Sequence, residues 1–497
     1  MTDKLFMEAS PESVGISSES IQYLIEDFKK HGFFMHGVLL VRYGKVVAEG
    51  YYAPFKKEDL HRIYSVSKTF TATAIGLLID EGKLSLDDCV YKFFPDKCPE
   101  NLHRFIKEAT IRDLLMMSTP FSTGGTYNGA KPDKDWEWTF FNAVPDYPAG
   151  TMFTYDTSGT HILGAIVERV SKKSLLEYLK DKVLREIGFS EDARCIKAPE
   201  GTSWGGSGVI CSLRDMARLG YLYMNKGKIG EKQYLSENYI KQATSKQIDN
   251  CPYGHENCYR YGYGYKVWIT RENSFSFMGM GDQYVICLPE KDFMFVCTAD
   301  NQGNPSSQEM IYELLWKNVV DKLSDTPLKE NKEENEKLNK KLSNLKLFVP
   351  SGKSHSLMEK EIDGAKYALS ENPMQISDFT LKFWEDHGSF CYTTPRGEKE
   401  ICFGYGEYRC GEFPETHYSG DTIGIPANRS YRCVSSGAWT EEKKLVIRVN
   451  ITDDYLGNLT ISLGFKDNEV TMFMFKTAEW FLKEYHGFAT GRTKNDL

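Results

Sequence analysis

The sequence lacks the features of several large classes of protein. It contains no run of about 18 apolar residues and its mean hydropathy is −0.45, so we expect no membrane-spanning helix and no membrane partner. Positive charge is scarce: 61 Lys and Arg residues stand against 69 Asp and Glu residues, which argues against nucleic acid as a partner. Because the first residues lack the basic and apolar regions of an export signal, we expect a cytoplasmic protein.

Cysteine is present but not in a pattern that indicates disulfides or a metal. The twelve cysteines include no CxxC pair, and a chain of 497 residues can build its core without cross-links, so we expect reduced thiols. Cys251, His255 and Cys258 form one local group, but their number and spacing match no standard zinc motif. We therefore predict that the protein uses neither a metal nor an organic cofactor.

Length and patterning predict two domains. The chain is about three times a typical domain length of roughly 150 residues. Residues 1–325 combine helical periodicity with a few strands, whereas residues 326–350 are mostly Lys, Glu, Asn and Leu and are predicted to form a charged linker. Residues 351–497 alternate apolar and polar side chains, for example over 459–465, which indicates an antiparallel β-barrel or sandwich.

A Ser-x-x-Lys pattern opens a helix that is expected to be buried. Apolar residues follow Ser65 at helical spacing as far as Leu78, and Lys68 lies one turn after Ser65, so the two polar side chains share a helix face. A serine becomes a nucleophile when a neighbouring base takes its proton, and a lysine serves as that base only when its surroundings keep it neutral. The pattern is short and also fits an N-cap serine followed by a first-turn lysine.

Two further motifs in the expected order make the chain resemble the serine β-lactamase and penicillin-binding-protein-like family, particularly its class C and esterase branch. Residues 153–157 (FTYDT) resemble the family's Tyr-x-Asn element, and residues 277–283 (FMGMGDQ) resemble the glycine-rich strand end that replaces Lys-Thr-Gly in esterase-like members. The resemblance spans about residues 15–323. It implies an α/β (α+β) domain with a central antiparallel sheet flanked by helices, followed here by the β-domain.

The resemblance also implies a role for each matching residue. Ser65 would be the acylated nucleophile, and Lys68 and Tyr155 would transfer protons to and from it. The backbone amides of Ser65 and Met280 would form the oxyanion hole. The residues expected to line the bound substrate are Thr157, Gly279 and Gly281.

Thr157 departs from the family pattern, because asparagine is usual at this position in β-lactamases and peptidases. We therefore predict a serine hydrolase that cleaves a small ester or amide, with a β-lactamase or D-amino-acid peptidase as the alternative. A sensor that is acylated without turnover, or an interaction protein, is a further alternative, since a fold does not establish turnover. The expected partner is a small-molecule substrate, and the sequence leaves the oligomeric state open.

A rival nucleophile is present in the segment 201–205 (GTSWG), which matches the G-x-S-x-G elbow of α/β-hydrolases. That elbow requires a strand directly before Ser203 and a helix directly after it. Pro199 interrupts the preceding residues, and two glycines follow, so this context is not predicted here.

Two histidines lie close in sequence to the proposed site. His61 precedes Ser65 by four residues and His161 follows Tyr155 by six, which could suggest a Ser–His relay. Since triad geometry cannot be inferred from nearness in sequence, we interpret both as packing or surface histidines.

Overall fold

The computed structural model describes residues 5–123, 135–250, 259–417, 429–478 and 481–493. The chain forms two compact units, Met1–Lys346 and Leu347–Leu497. Within the described ranges, none of the helices combines the length and apolar character needed to cross a bilayer. The local group of Cys251, His255 and Cys258 lies outside the described residues.

The first unit contains both helices and strands. Its helices are α1 (Ser18–Lys30), α2 (Ser67–Asp80), α3 (Arg104–Lys107), α4 (Ile111–Leu115), α5 (Trp136–Asn142), α6 (Thr157–Ser171), α7 (Leu175–Leu179), α8 (Leu213–Met224), α9 (Glu237–Ala243), α10 (Ser307–Asn318) and α11 (Lys332–Ser343). Its strands are β1 (Met7–Glu8), β2 (Met35–Arg42), β3 (Lys45–Tyr51), β4 (His61–Arg62), β5 (Arg194–Cys195), β6 (Val209–Cys211), β7 (Lys228–Ile229), β8 (Lys232–Gln233), β9 (Trp268–Ile269), β10 (Phe275–Gly279), β11 (Gln283–Leu288) and β12 (Phe293–Ala299).

Seven of these strands form the central sheet, in the order β1-β3-β2-β12-β11-β10-β9. All neighbours are antiparallel except β1 and β3. Strands β2, β11 and β12 are buried at every position, as expected for strands covered on both faces. The predicted central antiparallel sheet flanked by helices is therefore confirmed.

Helix α2 is buried inside this unit. Polar side chains cap the N-termini of the helices α6 and α8. Residues from Ser67 to Leu78 in α2 are all buried, in agreement with its continuous apolar pattern. Asp156 is the N-cap of α6, and its side chain accepts a hydrogen bond from the backbone amide of Ser158. A capping box between Ser212 and Asp215 begins α8.

Helix α11 occupies the middle of the segment 326–350 that the composition predicts as a charged linker. Its Leu338 and Leu342 are buried, and Gln22 in α1 donates a hydrogen bond to a carboxylate oxygen of Glu334. The charged residues cover the solvent side of an amphipathic helix whose two leucines pack inward. The first unit consequently extends to Lys346.

The second unit is a β-barrel. Its helix is α12 (Glu359–Ile362), and its strands are β13 (Lys366–Leu369), β14 (Asp378–Phe383), β15 (His387–Thr394), β16 (Gly397–Tyr405), β17 (Arg409–Glu412), β18 (Arg432–Glu441), β19 (Lys444–Thr452), β20 (Leu456–Lys466), β21 (Glu469–Ala478) and β22 (Gly487–Thr493). The sheet order is β16-β15-β14-β13-β22-β21-β20-β19-β18-β17, and a parallel pairing of β16 with β18 closes nine strands.

Buried side chains alternate along the barrel strands and fill its interior. In β19 and β20 the inward positions include Ile447, Val449, Leu459 and Ile461, all fully buried. Their cross-strand pairs, Ile447 with Ile461 and Val449 with Leu459, follow the antiparallel register. The predicted antiparallel barrel-like domain is confirmed, and closure leaves few unpaired strand edges.

Candidate active site

Ser65 lies in a 3-10 turn, Tyr64–Val66, that leads directly into α2. Tyr64 adopts the left-handed backbone conformation, with a φ of 46°, which is unfavourable for a bulky residue. Its ring packs against the guanidinium of Arg62, 4.4 Å from the ring centroid, and Arg62 Nε donates a hydrogen bond to Ser207 O. These contacts hold a strained turn in which Ser65 is partly exposed.

Lys68 lies next to Ser65, as the motif predicts. Lys68 Nζ is 2.8 Å from Ser65 Oγ and donates a hydrogen bond of 2.7 Å to the carbonyl oxygen of Gly206. Only 1% of Lys68 is exposed, so its side chain lies in the protein interior. Gly206, which the motif analysis did not assign to the site, supplies the carbonyl that orients this amine.

The surroundings of Lys68 favour its neutral form. Burial, together with the positive charge of Arg62, lowers the pKa of Lys68 to about 7, while the carboxylate of Asp156 acts in the opposite direction. An ordinary lysine has a pKa of about 10.4 and is charged at neutral pH. A substantial fraction of Lys68 is therefore uncharged at neutral pH and able to accept a proton.

Tyr155 is brought to the same amine from a distant segment. Lys68 Nζ lies 5.1 Å from the centroid of the Tyr155 ring, and this ring stacks on Trp268 at a centroid distance of 5.4 Å. The backbone beside Tyr155 is anchored, since the amide of Thr154 donates to Met117 O and Asp156 accepts a hydrogen bond from Thr119 Oγ1. The structure thus brings the three predicted groups, Ser65, Lys68 and Tyr155, together.

The glycine-rich turn lies beside the segment that carries Ser65. A Cβ atom at Gly279 would lie only 2.4 Å from the carbonyl oxygen of Ile63, so this close approach requires glycine. Gly281 has a φ of +76°, and Met280 between the two glycines is 37% exposed. This arrangement leaves Met280 accessible to solvent on a turn that packs against the segment leading to Ser65.

Thr157, the first residue of α6, packs against the loop that orients Lys68. A Cβ atom at Gly206 would lie 2.6 Å from Thr157 Cγ2. The predicted substrate-binding residues therefore lie apart: Gly279 lies beside the segment that carries Ser65, Gly281 lies near Ala299 at the end of β12, and Thr157 lies against Gly206.

A second buried amine, Lys266, was missed by the sequence reasoning. It is 2% exposed, and its Nζ lies 3.1 Å from the sulfur atom of Met117. Burial, followed by the charge of Lys68, lowers the pKa of Lys266 well below its ordinary value, and Asp156 opposes the shift. In the sequence Lys266 is a single lysine among aromatic residues, a pattern with no recognised function.

The rival serine is not arranged as a nucleophile. Ser203 is 1% exposed, and its backbone amide donates a hydrogen bond to Glu168 Oε1. The residues on either side of it form bridges and turns in place of the strand and helix that an elbow requires.

His61 is paired with another histidine in the core. Its Nδ1 lies 2.7 Å from the carbonyl oxygen of Arg62 and donates to it, so its Nε2 accepts from Nδ1 of His36 at 2.8 Å. The ring of His36 stacks on Phe55. Both ring nitrogens of His61 are therefore engaged away from Ser65.

We expect the His36–His61 pair to stay uncharged in mildly acidic solution. Burial lowers the pKa of His61 to about 4 and that of His36 well below its ordinary value. Since the unfolded chain binds these protons near pH 6.5, the free energy of unfolding should fall as the pH drops from about 6.5 toward 4. For His61 alone the loss should be about 3 kcal/mol.

NMR of protein with labelled histidine rings checks this expectation. At pH 5.5 the resonances of His36 and His61 should remain in their neutral positions. His355 is the internal control, because its hydrogen bond with Glu359 raises its pKa and it should be charged at this pH. Titration of His61 near pH 6.5 would contradict the expectation.

Among the residues that the structure describes, two clusters carry side chains of the types that bind metals: His161 with Glu137 and Glu200, and Glu415 with His417 and Glu484. His161 Nε2 contacts Glu200, and the third member, Glu137, accepts hydrogen bonds from Arg169 and Thr202. In the barrel cluster, Lys399 forms an ion pair with Glu415. A basic side chain thus pairs with a carboxylate in each cluster, and this charge balance favours buried ion pairs over a cation site.

The helix-flanked sheet, with a serine and a buried lysine where α2 begins, defines a β-lactamase/transpeptidase-like domain. Residues 22–316 match the model of the Beta-lactamase family, which is more than half of the chain. The chain belongs to the Beta-lactamase family. The barrel unit lies outside the matched residues.

Three similar proteins illustrate the neighbours of this chain. The 6-aminohexanoate-dimer hydrolase of Paenarthrobacter ureafaciens is 26% identical over 309 residues, which cover 58% of this chain and 72% of the relative. A Bacillus anthracis protein provisionally assigned as a 6-aminohexanoate-dimer hydrolase superposes with a TM-score of 0.51 and 20% identity, covering 63% of this chain and 86% of that chain. EstCE1, a hydrolase with promiscuous acyltransferase activity, superposes with a TM-score of 0.50 and 17% identity, covering 62% and 99%. At these identities the superpositions show a shared fold.

Proposed function

We propose that the protein is a serine hydrolase that cleaves a small ester or amide through an acyl-Ser65 intermediate. The observation that carries this proposal is the 2.8 Å distance between Ser65 Oγ and the buried amine of Lys68. A serine next to an amine that is partly neutral at physiological pH has a base ready to take its proton. The hydrolase relatives of this family support the same reaction class.

In the proposed acylation, Lys68 acts first as a base and then as an acid. Lys68 takes the Oγ proton as Ser65 attacks the carbonyl carbon, and a tetrahedral intermediate forms with negative charge on the former carbonyl oxygen. The amides of Ser65 and Met280 donate hydrogen bonds to this oxygen. Lys68, with Tyr155 against it, returns the proton to the leaving alcohol or amine, and the carbon–heteroatom bond breaks to give acyl-Ser65.

Deacylation repeats these steps with water as the nucleophile. Lys68 and Tyr155 take a proton from the water as it attacks the acyl carbonyl, and the proton is returned to Ser65 Oγ when the acid leaves. This assignment uses the same donors for both intermediates, so it needs no further group. No step uses a metal or an organic cofactor.

The side chains near Ser65 support a small, mainly uncharged substrate. Phe153, Tyr155 and Met280 offer partly exposed apolar surface, whereas the amines of Lys68 and Lys266 are buried. A hydrophobic acyl group would therefore gain contact area without an ion pair. The Paenarthrobacter relative is named for hydrolysis of a 6-aminohexanoate dimer, whose two units an amide bond joins, which favours amides along with esters.

Mass spectrometry of the intact protein tests the proposal. The protein is exposed separately to a fluorophosphonate, a penicillin and an activated short-chain ester, and the modified peptide is sequenced. We expect the fluorophosphonate on Ser65 and a transient acyl group from the ester. The variant Ser203→Ala should label in the same way, which excludes the G-x-S-x-G serine.

Three other outcomes would redirect the assignment. A stable acyl group on Ser65 without turnover would indicate an acylation sensor. Preferential, rapidly reversed acylation by penicillin would indicate a β-lactamase. Failure of all three reagents to modify Ser65 would contradict the hydrolase proposal and favour an interaction protein.

The activity is expected to depend on pH through Lys68. Because the pKa of Lys68 is lowered to about 7 and its neutral form is the base, kcat/KM should fall as the pH drops through about 7. The measurement is kcat/KM for an activated ester between pH 5.5 and 9. A rate that stays constant down to pH 5 would show that Lys68 is not the titrating base.

The rate of fluorophosphonate labelling over the same pH range is the control for this profile. Labelling requires only activation of Ser65, so it should show the same acid limb as ester hydrolysis. An acid limb in kcat/KM alone would assign the titration to substrate binding or departure of the leaving group in place of activation of Ser65.

A further inference from the structure

The side chain of Gln283 links the glycine-rich turn to the neighbouring strand. Its Nε2 donates hydrogen bonds to Met280 O at 2.9 Å and to Ala299 O at 2.6 Å. Its Oε1 accepts a hydrogen bond of 3.1 Å from Ala299 N. The side chain is fully buried, and all of these partners are backbone atoms.

These bonds replace one rung of the β-ladder. The regular pairing of β11 with β12 extends only to Tyr284 and Cys297, and on the other side of β12 its pairing with β2 is irregular between Thr298 and Ala299. The carboxamide of Gln283 has the same donor and acceptor as a peptide group, so it continues the pattern of the sheet. It thereby ties the end of β12 to the turn that follows β10.

The same contact restrains Met280 from its C-terminal side. Gly279 is held in the ladder opposite Gln283, whereas Gly281 and Asp282 have φ values of +76° and +70°. The bond from Gln283 to Met280 O fixes the peptide between Met280 and Gly281. The Met280 amide is therefore held between one peptide anchored by the sheet and another anchored by Gln283.

From this geometry we infer that Gln283 is a positioning residue for acyl transfer, because it holds the Met280 amide in the direction of the oxyanion. The inference rests on the proposed function. Removing one oxyanion donor costs about 10²–10³ in rate, so a donor that is present but loosely held should cost less. Gln283 acts through Met280 and does not itself contact the substrate.

The test is the variant Gln283→Met, which keeps the side-chain length and removes all three hydrogen bonds. We expect kcat for an activated ester to fall by roughly 10- to 100-fold while KM changes by less than about threefold. Rates are divided by the concentration of sites that react with a fluorophosphonate, so that loss of folded protein is not counted. The variant Gln283→Glu keeps the acceptor for Ala299 N and loses the amide donor. Its kcat should also be lower than that of the wild type.

A spectroscopic signature separates positioning from general destabilisation. The infrared carbonyl stretch of acyl-Ser65 lies at lower frequency when the oxyanion hole binds the acyl oxygen. In Gln283→Met the band should shift to higher frequency or split. A variant that is merely less stable would keep the wild-type band in the protein that remains folded.

Gln233→Met is the matched control. Nε2 of Gln233 donates to Lys226 O and Leu235 O, at 2.8 and 2.6 Å, so the substitution also removes two bonds from a carboxamide to backbone carbonyls. These bonds stabilise the β7–β8 hairpin, so kcat and the carbonyl band should not change.

Each outcome decides between two conclusions. A wild-type kcat per reactive site together with an unshifted band in Gln283→Met would overturn the positioning role. The positioning role would also be overturned if a smaller number of reactive sites explained the whole loss of activity in Gln283→Met and Gln283→Glu. If wild-type protein forms no acyl-Ser65, the hydrolase proposal fails, and this failure is seen before any Gln283 variant is made.

Discussion

Replacing Ser65 with alanine is expected to lower kcat/KM for an activated ester by about 10⁴-fold or more, since no other group supplies the nucleophile in the proposed reaction. The residual rate would come from substrate binding and the oxyanion donors alone. Folding should be unaffected, because Ser65 is partly exposed and alanine fits the same turn. Steady-state kinetics, with circular dichroism to check the fold, measures both effects.

The matched variant for Ser65→Ala is Ser203→Ala. Ser203 is buried in the rival G-x-S-x-G motif, and its substitution should leave kcat/KM within about threefold of wild type. More than a tenth of the wild-type activity in Ser65→Ala would exclude Ser65 as the nucleophile. Loss of activity in both variants with an altered fold would point to a structural effect.

Substitution of Lys68 with methionine is expected to have the second-largest effect. A positioned general base contributes about 10²–10⁴ to the rate, so we expect kcat/KM to fall by roughly 10³-fold. The acid limb near pH 7 should disappear as well, because the titrating group is gone. Methionine has a similar length and no charge, so it avoids the cost of burying an amine.

Lys180→Met is the control, because it also removes a lysine side chain that donates a hydrogen bond to a backbone carbonyl oxygen. Lys180 Nζ donates a hydrogen bond of 3.1 Å to Ala193 O, much as Lys68 binds Gly206 O. Activity and pH profile should stay at wild-type values in Lys180→Met. A Lys68→Met enzyme that keeps its rate and its acid limb would assign the base to another group.

Local sequence predicts the parts of the site that lie close together in the chain. The three-residue spacing of Ser65 and Lys68 is enough to place both on one face where α2 begins, and they are 2.8 Å apart in the structure. Tyr155 lies 90 residues away, so its position next to Lys68 was inferred from the order of motifs. Its contact with Lys68 depends on the packing of α2 against α6, which no local pattern specifies.

The motifs do not assign Gly206, Lys266 or Gln283 to the site, because the contacts of these residues depend on tertiary packing that a short sequence pattern does not predict. Gly206 O and Lys266 each meet the site through residues that are distant in sequence, whereas Gln283 binds Met280 O within the glycine-rich motif and Ala299 O on the neighbouring strand. The barrel shows the same limit at the level of topology. Alternation predicts its strands, but closure depends on the parallel pairing of β16 with β18, which joins strands that do not follow one another.

Composition was misleading for the segment 326–350. Its lysines and glutamates favour a solvated helix or linker that buries little surface, yet two leucines four residues apart, Leu338 and Leu342, lie on one face of α11 and are buried. A helix needs only a narrow apolar stripe to dock, so a high average charge does not exclude packing. The spacing of the leucines therefore predicts the packing of this segment better than its charged composition does.

The two amines in the interior of the first unit also link its folding to proton exchange with the solvent. Lys68 and Lys266 both have pKa values below the ordinary range, whereas in the unfolded chain both are protonated at neutral pH. Folding at pH 8 must then release protons, and alkaline solution up to about pH 10 should favour the native chain through these two residues. In a protein whose lysines all lie at the surface, alkaline pH does not stabilise the native state in this way.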